Sequence, residues 1–124
     1  MPKRILVVDD EPAIAAVLAT LFEDEDYLVE VAVNGADGLD RAGRNVPDLV
    51  LLDVMMPVLD GPEMLRRMRE DRRFARIPVL LMSAARPPAG CTGHDAFVEK
   101  PFEMERLIDL VSELMKRDPT ARLS

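Results

Sequence analysis

Asp9, Asp10, Asp53, Ser83 and Lys100 each stand just after a short apolar run, and together they hold carboxylates, a hydroxyl and an ammonium. Brought into one crevice, these groups are the equipment for divalent-metal-dependent phosphoryl chemistry. Two negative charges about 4 Å apart repel by roughly 4 kcal/mol at an effective dielectric near 20. Three clustered carboxylates therefore demand protonation or a counter-charge. A hard divalent cation neutralises them with oxygen ligands alone, and Mg²⁺ commonly takes one or two carboxylates plus waters and phosphate oxygens. The acidic set Asp9, Asp10 and Asp53 thus predicts a Mg²⁺ site. A carboxylate can also act as the nucleophile and form an acyl phosphate, with Lys100 and Ser83 contacting the remaining oxygens.

The elements that must position these groups are the runs themselves: Ile5 to Val8, Leu49 to Leu52, Pro78 to Met82 and Ala96 to Val98. Runs this short and rich in Val, Ile and Leu read as strands buried on both faces. Strands are expected at 4–8, 28–32, 48–53, 77–82 and 96–99, alternating with helices at about 12–25, 36–43, 62–71 and 103–116. That alternation implies βα units and a parallel sheet covered on both faces. Ile14, Val17, Leu18, Leu21 and Phe22 recur at helical spacing, as do Leu107, Leu110, Val111, Leu114 and Met115. Leu39 and Ala42 are expected to point inward. Pro12 suits a first helical turn, Asn34-Gly35 reads as a turn, and Asp60 with Glu63 reads as a capping box. Residues 84–95 break the rhythm: Pro87, Pro88, Gly90 and Gly93 leave little chance of a helix. In a flavodoxin-like strand order 2-1-3-4-5, the ends of strands one and three meet at the switch point where such sheets bind ligands.

The 124 residues suit one domain, with residues 119–124 as a polar tail. A net charge of −7 argues against direct contact with nucleic acid. The arginines at 66, 67, 69, 72, 73 and 76 are interrupted by Glu70 and Asp71 and read as a solvated face. The single Cys91 excludes an internal disulfide, and with His94 alone it makes a poor metal site. With no signal peptide in the opening residues and no apolar stretch approaching the roughly 18 to 20 residues of a membrane span, a cytoplasmic chain is expected.

The motifs Val8-Asp9-Asp10-Glu11, Leu52-Asp53-Val54-Met55-Met56-Pro57, Met82-Ser83-Ala84 and Lys100-Pro101-Phe102 stand in order, one after each of four strands. With them the chain, over residues 1–118, resembles a receiver domain of the two-component response regulators. The resemblance implies that Asp53 accepts a phosphoryl group from a sensor histidine kinase or phosphotransfer protein. It implies that Asp10 and Asp53 hold Mg²⁺ directly, with the backbone carbonyl of Met55, while Asp9 helps mainly through bound water. It further implies that Ser83 and Lys100 contact the phosphoryl group, that Phe97 is an aromatic switch, and that Lys100-Pro101 is a cis peptide. The implied function is a phosphorylation switch that relays a change to a downstream partner, not an enzyme beyond its own phosphoryl transfer and slow dephosphorylation.

Singly, Asp10 or Glu11 reads as well as a helix cap, and Phe97 as core; the set singles them out. The chain departs from the family between Ser83 and Lys100, which is shorter by more than a helical turn, so that the fourth helix is missing or replaced by the Pro/Gly-rich loop. That helix belongs to the family's usual output surface. These residues leave two other readings open: a phosphorylation-independent binding module, and a phosphohydrolase with an aspartate nucleophile. The latter wants a second acid two residues after the nucleophile, where this chain has Met55.

Overall fold

Five strands, β1 (Arg4–Val8), β2 (Leu28–Ala32), β3 (Leu49–Asp53), β4 (Val79–Ser83) and β5 (Ala96–Glu99), pair in parallel in the order β2-β1-β3-β4-β5. The computed structural model describes residues 2–117, so the polar tail expected at 119–124 lies outside the described residues. Four helices join the strands: α1 (Pro12–Glu23), α2 (Gly35–Arg44), α3 (Gly61–Glu70) and α4 (Met104–Lys116). Among the described residues no helix is long and apolar enough to cross a membrane.

Side chains alternate along each strand, so a sheet with both faces covered needs apolar residues at every position. Leu6, Val8, Val50, Leu52, Val79 and Leu81 pack against α2 and α3. Ile5, Val7, Leu49, Leu51, Leu80 and Met82 pack against α1 and α4. The strand ends carrying Asp9 and Asp53 are thereby locked side by side, with Val8 opposite Leu52 in register.

Several boundaries depart from the sequence expectation for physical reasons. Asn34 is the N-cap of α2, its side chain accepting from the Asp37 amide at 2.8 Å, so the turn signal opens a helix. β4 begins at Val79, after Pro78, and extends to Ser83, which pairs with Glu99. In α1 the small Ala15 faces the core, whereas Val17 is 48% exposed. Asp60 caps α3 through the Glu63 amide at 2.9 Å, but the Glu63 carboxylate turns to Arg66 and Arg67, so the reciprocal half of the capping box is replaced by ion pairs. Between β4 and β5 the chain forms no helix: residues 84–95 run as a strap along the α3 side, with Cys91 packed on the core there.

Arg69 holds the strap. Its guanidinium donates to the Gly93 carbonyl at 2.8 Å, to the Phe74 carbonyl at 3.1 Å and to the Asp95 carboxylate at 3.3 Å. Asp95 in turn accepts from the Val79 amide at 2.8 Å. Arg69 and Asp95 side chains are only 16% and 11% exposed, which corrects the reading of the arginine run as uniformly solvated. Gly93 has φ +95, and a Cβ there would lie 3.3 Å from Arg69 Cγ. The left-handed backbone and the close guanidinium both call for glycine at this point.

Candidate functional site

The sheet delivers three carboxylates to one place. One oxygen from each of Asp9, Asp10 and Asp53 lies within 4.8 Å of the others. Asp9 and Asp53 are 1% and 5% exposed, while Asp10 is open to solvent. The Asp9 backbone continues the ladder by donating to the Ala32 carbonyl at 3.1 Å, and its side chain accepts from the Glu11 amide at 2.9 Å. Glu11 occupies the N-cap position of α1 without a side-chain cap, so neither Glu11 nor Asp10 serves as the helix-capping side chain.

Asp53 is fixed by the loop between it and α3. The Val54 amide donates to the Met82 carbonyl at 3.0 Å, and the Gly61 amide returns to the Val54 carbonyl at 3.0 Å. A Cβ at position 61 would collide with the Asp53 carbonyl oxygen. Gly61 therefore lets α3 begin directly against the end of β3, a positioning role that sequence reasoning missed. Its only signal in the sequence is a glycine immediately after an N-capping aspartate. Met55, two residues beyond Asp53, is 75% exposed. In the same loop, Val58 is a β-branched residue at φ +67, a backbone region such residues rarely enter.

Lys100 comes from the far end of the sheet. Its ammonium donates to Asp9 Oδ2 at 3.2 Å and to Asp53 Oδ1 at 3.4 Å. Its amide donates to the Ser83 carbonyl at 2.7 Å, and the next peptide, Lys100-Pro101, is cis as expected. Ser83 is 5% exposed, and its hydroxyl accepts from the Ala85 amide at 3.2 Å. Phe97 is half-buried against the α2/α3 core, beside the strap. The structure thus gathers the expected carboxylates within 4.8 Å of one another with the ammonium on Asp9 and Asp53, sets Ser83 at the neighbouring strand end, and leaves Phe97 in the α2/α3-side packing.

The electrostatics of the crevice are unfavourable as it stands. Burial pushes the Asp53 carboxyl above the usual carboxylate range, the charge of Asp9 adds to this, and Lys100 opposes it. Burial pulls the Lys100 ammonium down, but the charges of Asp9 and then Asp53 outweigh it and hold it above the usual lysine value. One ammonium does not balance three carboxylates. The donor set is all oxygen, with no thiolate or imidazole, and one carboxylate faces solvent. That is the fit for a hard divalent cation.

The chain is similar over nearly its full length to known signalling proteins. A family model described as the response regulator receiver domain matches residues 5–112. Response regulator Rre1 of Synechocystis sp. is 37% identical over 122 residues, covering 94% of this chain and 53% of Rre1. The DNA-binding dual master transcriptional regulator RpaA of the same organism is 37% identical over 119 residues, covering 92% of this chain and 49% of RpaA. The chain thus spans about half the length of these curated relatives. Among solved structures, response regulator TrrA of Thermotoga maritima, in complex with Mg²⁺-BeF, is similar at a TM-score of 0.82 and 33% identity, covering 90% of this chain and 98% of TrrA. With the strand order, the acidic crevice and a family match over most of its length in hand, the chain belongs to the response regulator receiver domains.

Proposed function

We propose that this receiver domain takes a phosphoryl group on Asp53 from the phosphohistidine of a sensor histidine kinase or phosphotransfer protein and relays the change to a downstream protein partner. The observation that carries this reading is the meeting of Asp9, Asp10 and Asp53 within 4.8 Å, with the Lys100 ammonium on two of them. An Asp53 oxygen attacks phosphorus. The phosphorus–oxygen bond forms as the phosphorus–nitrogen bond breaks, and the electron pair leaves with the imidazole, which takes up a proton. Lys100 stays within reach of the acceptor oxygen and offsets charge on the incoming group. Ser83, at the adjacent strand end, supplies a hydroxyl for a second phosphoryl oxygen, and Phe97 is the side chain whose packing responds when Ser83 shifts.

Asp9, Asp10, Asp53 and the backbone carbonyl of Met55 would hold Mg²⁺, which supplies neutralisation of the phosphoryl oxygens when bound. The Mg²⁺-BeF complex of TrrA supports that assignment by likeness. Asp9, buried and bonded to Lys100 and to the Glu11 amide, fits a more peripheral place in that set than Asp10 and Asp53. No observation favours a phosphohydrolase: Met55 stands where such an enzyme wants an acid. A net charge of −7 disfavours direct nucleic-acid contact by this 124-residue chain.

The test is incubation with acetyl phosphate and Mg²⁺, followed by intact mass. One phosphate is expected, and both Asp53→Asn and EDTA abolish it; a phosphate that survives either treatment overturns the assignment. Met55 and Ala85 flank the acceptor and neither can orient an attacking water, so the phosphorylated chain is expected to persist. Unaided loss of phosphate within seconds, with Mg²⁺ present, would contradict this.

A further inference from the structure

The strap carries one cation, Arg86, three residues beyond Ser83. It is exposed, and no ion pair or side-chain hydrogen bond holds it among the described residues. This contrasts with the arginines of the α3 side, where Arg66, Arg69 and Arg73 are each paired, with Glu63, Asp95 and Asp71. The chain also turns back on itself just before Arg86. Ser83 Oγ accepts from the Ala85 amide at 3.2 Å, and residues 84 and 85 form a bend. Three residues span at most about 10 Å even when extended; the bend shortens that distance, and the long arginine side chain covers what remains. Beyond Arg86 the strap contains Gly90 and Gly93, at φ +85 and +95, before the Arg69 clasp. It is therefore held at Ser83 and at the Arg69 clasp, with Cys91 packed on the core between them.

Charge gives this arrangement a purpose. With a divalent cation bound, the three carboxylates and Lys100 leave the crevice without surplus negative charge. When Asp53 becomes an acyl phosphate, its single charge is replaced by a phosphoryl group of about two. A negative charge is then left over, and it stands outward of carboxylates that are themselves buried. Guanidinium is the side chain best matched to such oxygens, through paired hydrogen bonds in a planar fork.

We propose that Arg86 binds the phosphoryl group on Asp53 and draws the strap across the crevice, so that this segment both shields the acyl phosphate and reports its presence along the α3 side, where no helix joins β4 to β5. The proposal rests on Asp53 being the phosphoryl acceptor.

The test uses the full chain, phosphorylated with acetyl phosphate and Mg²⁺ and then freed of donor, with phosphate loss tracked by intact mass. Arg86→Ala is expected to shorten the lifetime of the phosphorylated protein about tenfold, the scale of one charge-assisted contact, and Arg86→Lys to restore part of it. Because no ion pair or side-chain hydrogen bond holds Arg86 among the described residues, Arg86→Ala is expected to leave the melting temperature of the unmodified chain unchanged. Hydrogen exchange supplies a second readout. Mg²⁺ with beryllium fluoride, a phosphoryl mimic, is expected to slow exchange over residues 84–92 in the parent chain and not in Arg86→Ala. Normal phosphorylation with a lifetime within twofold of the parent, or equal strap protection in both chains, overturns the proposal alone. Absence of the one-phosphate mass in the parent chain overturns the acceptor assignment, and this proposal with it.

Discussion

Two successive connections cross the same face of the sheet and are held by different physics. From β3 to β4 the chain passes through α3, which buries Met64, Leu65 and Met68 completely against the strands. From β4 to β5 it passes through the strap, held chiefly by one guanidinium and its partners Gly93 and Asp95. Apolar burial is non-directional and spread over many atoms. A polar clasp depends on the geometry of a few. The first connection is held by many contacts that share the load, and the second mainly by the Arg69 clasp, with Cys91 packed on the core beside it. A receiver thus does not need every crossover helix to assemble its crevice: Ser83 and Lys100 are aligned by β4, β5 and the bond between their backbones.

Substitutions can sharpen or break this contrast. Met68→Ala opens a void in the helix-held connection and is expected to lower stability by about 3 kcal/mol in urea unfolding, with exchange protection falling across the whole domain. Arg69→Ala leaves the poorly exposed Asp95 carboxylate without its cation and is expected to lower stability by about 2 kcal/mol. Its signature is local: amides of residues 84–95 lose protection well before those of α3, and an equal loss in both regions would erase the distinction. Gly93→Ala strains a φ of +95 and presses on Arg69; it is expected to destabilise by about 1 kcal/mol, and in an Arg69→Ala background by less.

An effect of comparable size has the opposite sign. Asp53→Asn, in EDTA at neutral pH, is expected to raise stability by about 1 kcal/mol, the size of one solvent-screened carboxylate repulsion. The sign comes from linkage. The folded-state pKa of Asp53 is raised, so the folded chain holds this proton more tightly than the unfolded one. The resulting stabilisation is present at pH below the ordinary carboxylate range and is lost as pH rises through the folded value. The advantage of Asp53→Asn should therefore shrink on acidification and vanish when Mg²⁺ is added. A gain that is flat with pH would mean that the raised pKa is not its source.

Sheet order, the strand ends and the absence of a helix after Ser83 are all legible in the sequence, because buried parallel strands are continuous apolar runs and because paired prolines and glycines cannot sustain helical hydrogen bonds. The clasp is not. Arg69 lies in a run of arginines whose other members face water, and only its position four residues after Leu65 places it on the edge of the buried stripe. Asp95 and Gly61 escape a reading of types and spacings because their roles depend on groups that approach from elsewhere in the chain, and close approach is not encoded in a local pattern. Asn34 reads as a turn because the residues that favour turns also cap helices.

Lys100 bonds to Asp9, 91 positions before it, and to Asp53, 47 positions before it. During synthesis, then, a chain that has emerged only as far as β4 already carries every acid of the crevice but not the ammonium that ties two of them together. The crevice is completed last, when β5 docks, so a shortened or stalled product ending before that strand would present three clustered acids with no cation of its own to tie them together.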